Sequence, residues 1–203
     1  MLREPASQPY LDLRSLIGHK DYFILSTNVD TQVEKTFPAE RVCNYQGSFA
    51  HLQCKQPCCD ELFDVKPYVE RMLAGMAGFE VRSEDVPRCP HCGWQLVPWV
   101  RYDTFLQGAV WRESLGRYER IVRERSNDRV LLLELGVGEM TPGIITLPFW
   151  SMTAKLPDAH LLSVNITGDS APLQLRSKAE AIQADLGALL SAARTAKVFK
   201  PPC

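Results

Sequence analysis

Two close pairs of cysteines limit what this chain can fold into more than any other feature. The segment "RCPHCGW" sets Cys89 and Cys92 with two residues between them. That spacing, followed by Gly93, forms a tight knuckle in which two thiolates converge and backbone N–H groups face the sulfurs. The segment "CKQPCCD" supplies Cys54 with Cys58 or Cys59. In a reducing compartment, clustered cysteines are metal ligands more often than disulfides. Four thiolates in two pairs make a closed, tetrahedral and therefore structural zinc site. His51 and His91 lie close enough in sequence to replace a thiolate. Zinc binding to such sites is worth roughly 10 to 16 kcal/mol in isolated peptides, as much as the roughly 5 to 15 kcal/mol of net stability of a whole domain. Loss of one ligand is therefore expected to unfold this module.

The remaining composition is that of a globular protein, with 45% hydrophobic and 23% charged residues in 203. A net charge of −1 leaves no excess of Lys and Arg to neutralise phosphates, so neither nucleic acid nor an anionic membrane surface is an expected partner. No apolar run reaches the roughly 18 to 20 residues of a membrane span, and "LREPASQPYLD" after Met1 is no signal core. These features point to a cytoplasmic protein.

Outside the cysteines, strands and helices alternate. "DYFILST" (21–27), "RVLLLEL" (129–135) and "AHLLSVN" (159–165) are short apolar runs ending in polar or Gly-rich residues, as buried parallel strands do. "AVWRESLGRYERIVRER" places Val110, Trp111, Leu115, Tyr118, Ile121 and Val122 on one helical stripe. "SKAEAIQADLGALLSAARTA" reads as one helix with Ser177 and Glu180 in capping-box spacing. The pattern predicts an α/β fold, a Rossmann-like parallel sheet with a small inserted zinc-binding module. The expected boundaries are 1–48 and 106–203 for the sheet and 49–105 for the module, with a fraying tail "KVFKPPC".

In such sheets ligands bind beyond the carboxyl ends of the strands. The candidate residues there are Thr27, Asn28 and Asp30 after the first strand, Gly136, Gly138 and Thr141 after the second, and Asn165 after the third. The glycines of "LELGVGEMTPG" let bare backbone approach a ribose or phosphate.

Taken in order, "STNVD", "YQGSFAHLQC", the two cysteine pairs, the strand-to-GVG loop and the strand ending in Asn165 and Ile166 resemble a sirtuin. The likeness is strongest to the macrodomain-linked sirtuins, which similarly carry "TNVD", "QG", "CPHCG" and "LELGVG…TP". The resemblance implies NAD-dependent protein ADP-ribosylation with release of nicotinamide. It also implies a protein acceptor, often a lipoylated glycine-cleavage-H-like carrier, and a macrodomain ADP-ribosyl hydrolase as partner. It assigns Cys54, Cys58, Cys89 and Cys92 to Zn2+, and so prefers Cys58 over Cys59. Asn28 would bind the ribose side of NAD, with Thr27 beside it, and Asp30 would hold the nicotinamide carboxamide. Gly136, Val137 and Gly138 would line the ribose and phosphates, and Asn165 would reach the adenosine ribose. Gln46 falls where deacylating members carry a catalytic histidine. The family's first strand, with its Gly-Ala-Gly segment, has no counterpart in "MLREPASQPYLDLRSL", so the chain is expected to be shortened at its N-terminus. Glu139 and Met140 depart from the family pattern, and Glu139 is expected to face solvent.

Gln46 bears on the choice of reaction. A sirtuin deacylase needs a base to remove a ribose hydroxyl proton after the nicotinamide bond is broken, and an uncharged carboxamide accepts no proton at neutral pH. General-base assistance is typically worth about 10²- to 10⁴-fold. Transfer of ADP-ribose to a nucleophile stops before that step, and there Gln46 need only hydrogen-bond. Together, Asn28, Asp30 and Gln46 are the expected catalytic residues of a transferase. A weak deacylase and a non-catalytic binding module are the alternatives.

Overall fold

The computed structural model describes residues 4–138, 142–167 and 171–196. The expectations for Glu139, Met140, Thr141 and the tail lie outside these residues. In chain order the elements are α1 (Gln8–Ile17), β1 (Ile24–Ser26), α2 (Gln32–Thr36), β2 (Val42–Asn44), β3 (Gly47–Cys54), β4 (Phe63–Asp64), α3 (Val65–Gly75), β5 (Leu96–Val100), α4 (Ala109–Glu124), β6 (Val130–Leu135), α5 (Thr146–Lys155), β7 (Ala159–Asn165), β8 (Ala179–Gln183) and α6 (Leu186–Thr195). They fall into two units, one of Met1–Pro5 and Ile24–Tyr118, the other of Ala6–Phe23 and Glu119–Cys203.

In the first unit β1 runs parallel to β2, with Ile24 opposite Val42 and Ser26 opposite Asn44. A two-residue turn, Tyr45 and Gln46, leads from β2 into β3, the central strand of an antiparallel sheet ordered β4-β3-β5. The pairing of β3 with β5 shifts between Ser48 and Leu52. Such a bulge bends the strand and increases its twist. Beyond it, Leu52, Cys54, Val65, Cys89 and Leu96 form a buried cluster flanked by Phe63, Tyr68 and Val69. A core of this size stabilises little alone, and small domains of this kind normally need a metal or disulfides. Gln53 is fully buried, and both ends of its amide are used: Nε2 donates to the Thr104 carbonyl and Oε1 accepts from Leu106 N–H. With Trp99 Nε1, which donates to the Leu106 carbonyl at 2.9 Å, it fixes the segment that follows β5.

The second unit is built on the parallel sheet β6-β7-β8. Its registers set Val130 opposite Ala159 and Leu161 opposite Ala179. Leu132, Ala159, Leu161 and Val164 are buried in it. Here the structure corrects the expected single helix from Ser177. Residues Ala179–Gln183 are the strand β8, and the helix begins only at Leu186. Its cap is Asp185, whose carboxylate accepts the Ala188 N–H at 2.8 Å. Pairing along β7 satisfies the backbone of "AEAIQ" as well as a helix would, and tertiary pairing overrides the weak helical preference of five residues. Helix α1 packs on α6, where the fully buried Asp12 receives Arg194 Nε at 2.6 Å and Gln8 Nε2 at 2.8 Å. Among the described residues no helix is long and apolar enough to cross a membrane.

Gly47 fixes the geometry of the β2–β3 turn. Its φ is +84°, and a Cβ there would lie 2.0 Å from the Trp99 carbonyl oxygen and 2.9 Å from the Phe105 ring. Backbone cannot retreat from that approach as a flexible side chain could. Gly47→Ala is therefore expected to destabilise the protein by about 3 kcal/mol or more, in the range of severe core and backbone lesions. Chemical denaturation of both proteins measures this; an unchanged midpoint contradicts the assignment.

Candidate zinc module and ligand pocket

Cys54 ends β3, Cys58 lies in the loop that follows, and Cys89 and Cys92 flank the knuckle before β5. The knuckle is closed by Gly93, with φ +75° and its N–H on the Cys89 carbonyl at 2.9 Å. The four sulfurs all lie within 4.8 Å of one another. Cys54 Sγ is 3.5 Å from Cys92 Sγ, and Cys58 Sγ is 3.6 Å from Cys89 Sγ. Four sulfurs bound tetrahedrally at roughly 2.3 Å stand about 3.8 Å apart, so this set fits a zinc ion. His91 is outside it, paired instead with Glu61 at 2.7 Å. Cys43 is a buried thiol elsewhere, accepting from the Ser114 hydroxyl.

The thiols are not equivalent. Burial pushes Cys54 up, and Cys58 is raised chiefly by its hydrogen bond to Cys92 and then by burial. Burial alone would raise Cys89 too. The backbone N–H groups of His91 and Cys92, with the side chains of Cys58 and Cys92, outweigh it and bring Cys89 down to about 6. Cys89 is thus a thiolate at neutral pH, ready for a cation, while Cys58 holds a proton that the metal must displace.

The first strand end forms a small pocket lined by Asn28, Asp30, Thr31, Val33, Glu34, Asn44 and Ser48. The chain turns there because the Ser26 hydroxyl accepts Asn28 N–H and Asp30 Oδ1 accepts Gln32 N–H, each at 3.1 Å. Glu34, on α2, receives Asn44 Nδ2 on one oxygen and the Ser48 hydroxyl on the other, both at 2.7 Å. Thr31 is in the left-handed region at φ +70°, an uncommon conformation for a β-branched residue, costing roughly 1–3 kcal/mol. Its hydroxyl is buried without a hydrogen-bond partner among the described residues. Asp30 and Glu34 make the wall of this pocket acidic. It repels a phosphate.

Gln46 does not line this pocket, although Asn44 and Ser48, two residues to either side, do. It sits half-buried in the β2–β3 turn, where its carbonyl accepts Arg101 N–H at 2.9 Å. Arg101 also donates from Nη2 to the Tyr45 carbonyl and lies over the rings of Tyr45, Phe105 and Trp111 at 5.0, 4.6 and 5.5 Å. This sets a stacked, exposed cation beside the Gln46 turn. Thr27 is half-buried and outside the pocket lining.

In the second unit Gly136 follows β6 at φ +64°, and its N–H continues the sheet to the Val164 carbonyl at 2.9 Å. Asn165, at the end of β7, donates from Nδ2 to the Val137 carbonyl at 2.9 Å and so braces the glycine loop. Among the described residues, a Cβ on Gly138 would meet nothing within 4 Å. The structure brings Gly136, Val137 and Asn165 together here, as it brings Asn28 and Asp30 together in the first unit.

Sequence reasoning missed Thr31, Glu34, Asn44, Ser48 and Arg101. A signal existed for Glu34: it stands four residues after Asp30, the spacing that puts two side chains on one face of a helical turn. The orphaned Thr31 hydroxyl and the Arg101 stack depend on tertiary neighbours and carry no local signal.

The architecture is that of solved sirtuin structures, and in fold the chain is sirtuin-like. It matches a sirtuin from a study of substrate affinity over 98% of this chain and 71% of that one, with a TM-score of 0.64 and 16% identity. It matches a Sir2 homologue in complex with NAD over 95% and 64%, with a TM-score of 0.61 and 17% identity. Among curated proteins it is 27% identical to a protein ADP-ribosyltransferase of Staphylococcus aureus over 195 residues, 95% of this chain and 62% of the relative. It is 26% identical over 142 residues to a probable bifunctional ADP-ribose hydrolase/ADP-ribosyltransferase of Fusarium oxysporum, covering 64% of this chain and 23% of that protein. The chain thus spans less than two thirds of either relative. No protein-family model matches it.

Removal of zinc by a strong chelator is expected to abolish the cooperative unfolding transition of the β3–β5 module and to be reversed by re-adding the ion. Zinc uptake at pH 7 should release protons, since Cys58 is raised and must ionise; calorimetry in two buffers of different ionisation heat reads this. A chelated protein with an unchanged melting curve would show that the four sulfurs hold no structural ion.

Proposed function

We propose that this chain is a sirtuin-type NAD-dependent protein ADP-ribosyltransferase, or the larger part of one, transferring ADP-ribose to a protein acceptor with release of nicotinamide. The observation that carries the reading is Gln46 in the β2–β3 turn, an uncharged carboxamide where sirtuin deacylases need a base. The kinship to a protein of that activity from Staphylococcus aureus supports it. The lining of the pocket supports the reading, because the Thr31 hydroxyl, without a partner among the described residues, and the carboxylates of Asp30 and Glu34 complement a carboxamide.

In this reading NAD supplies an ADP-ribosyl group whose bond to nicotinamide is weakened once the ring's carboxamide is held. Asp30 and the Thr31 hydroxyl hold that carboxamide, and Asn28 orients the ribose. Glu34 acts through Asn44 and Ser48, which it fixes by two short hydrogen bonds. Gln46 hydrogen-bonds a ribose hydroxyl or the acceptor and removes no proton. Gly136, Val137 and Gly138 offer backbone to the ribose and phosphates, with Asn165 as the brace that shapes their loop. Cys54, Cys58, Cys89 and Cys92 carry zinc as a structural ion. The acceptor is a protein, a lipoylated glycine-cleavage-H-like carrier being the proposed kind. A macrodomain ADP-ribosyl hydrolase is the proposed partner, in keeping with the bifunctional naming of the Fusarium relative. The proposed site of action is the cytoplasm.

Titration of the zinc-loaded protein with NAD is expected to show saturable binding, weakened at least tenfold, about 1.4 kcal/mol, in Asn28→Ala. Incubation with labelled NAD and a lipoylated carrier should label the carrier. Gln46→His is expected to gain deacylation of an acetylated peptide by about 10²-fold if a missing base is what limits that reaction. Saturable binding without transfer to any acceptor would make the chain a binding module.

A further inference from the structure

Beside the four-sulfur group lies a second set of metal-binding side chains. Cys59, Glu61 and His91 bring a sulfur, a carboxylate oxygen and an imidazole nitrogen within 4.8 Å of one another. None of them belongs to the first set. His91 Nε2 is 2.7 Å from Glu61 Oε2, and the Phe63 ring lies against the imidazole with centroids 6.4 Å apart. We propose that these three residues form a second, open metal site, taking a borderline divalent ion such as Zn2+ or Co2+ and leaving the fourth position to water.

The donor set selects the ion. A thiolate with an imidazole and one carboxylate suits zinc and its first-row neighbours, whereas magnesium and calcium favour oxygen ligands throughout. The charges also balance, since one thiolate and one carboxylate neutralise a divalent cation. Tetrahedral ligation with a sulfur at roughly 2.3 Å and a nitrogen at roughly 2.0–2.1 Å separates those atoms by about 3.6 Å. The Cys59 sulfur, within 4.8 Å of the other two donor atoms, closes by at most about 1.2 Å, while the Glu61–His91 hydrogen bond at 2.7 Å opens to about 3.3 Å as both atoms turn to the ion, changes that small torsional adjustments supply.

Three features favour occupation once the first ion is in place. Cys59 follows Cys58 directly and His91 lies between Cys89 and Cys92, so the first ion fixes the loops that carry two of the three ligands. Four thiolates around a divalent ion carry a net charge of −2, which attracts a second cation nearby. Access is open, because the Glu61 and His91 side chains are 53% and 50% exposed. Exposure also makes the site exchangeable and weaker than the buried one. A Glu–His pair alone would be an ordinary surface ion pair; the sulfur of Cys59 completes a ligand set. The inference is independent of the proposed reaction.

The test is a titration of the full chain, already holding one zinc ion, with Co2+, followed by calorimetry and by sulfur-to-cobalt charge-transfer absorption. The expected result is one further ion per chain, with its absorption lost in Cys59→Ser. Its affinity should fall at least tenfold in Glu61→Gln and His91→Gln, all three variants keeping the first ion. No further ion, or one indifferent to these substitutions, overturns the proposal. Loss of the first ion in Cys59→Ser would make Cys59 a structural ligand and overturn it as well.

Discussion

The crowding of four sulfur atoms is the constraint on which the first unit depends. Without an ion the sulfurs at 3.5–3.6 Å share protons in hydrogen bonds; once all four ionise they repel one another, and burial of Cys54 and Cys89 to within 2% of full removes the water that would screen them. A cation reconciles the two. The apolar cluster around it is a handful of side chains, so metal and core act together: the ion ties the end of β3 to the start of β5, and the strands between bury Leu52 and Leu96. What stands at the other end of the same strands is the Gln46 turn. A structural ion thus orders a sheet whose far end carries the candidate chemistry.

That far end is built by close backbone approach. Gly47 lets the Trp99 carbonyl come within reach of its α-carbon, and Arg101, two residues on, bonds back to the Gln46 and Tyr45 carbonyls. The carboxamide at position 46 is therefore held on a short, well-bonded turn between two sheets rather than on a free loop. Positioning of this kind suits a group whose contribution is orientation, and it matches a residue with no proton to accept.

Much of this was legible in the residues. The paired cysteines marked the metal site because their spacing alone forces sulfurs to converge. The runs at 129–135 and 159–165 marked parallel strands by their continuous apolar residues, although Leu131 is 57% exposed, so the first of them is not covered on both faces as that reading expected. The strand at 179–183 was not legible. "AEAIQ" has no pattern that separates it from the capped helix beginning at Leu186, and only the edge of β7 decides the matter. The pocket was half legible: Asn28 and Asp30 announce themselves at a strand end, whereas Glu34, Asn44 and Ser48 are joined by hydrogen bonds across 10 and 14 residues of sequence.

Thr31 has a consequence for how a protein like this can change over generations. Its backbone conformation suits Gly or Asn better than a branched side chain, and its hydroxyl is buried with no partner among the described residues. Heat tolerance alone would favour replacing it, and retention of a ligand would favour keeping it. Position 31 is therefore a place where the two pressures point in opposite directions, and the residue that a lineage carries there records which of them prevailed.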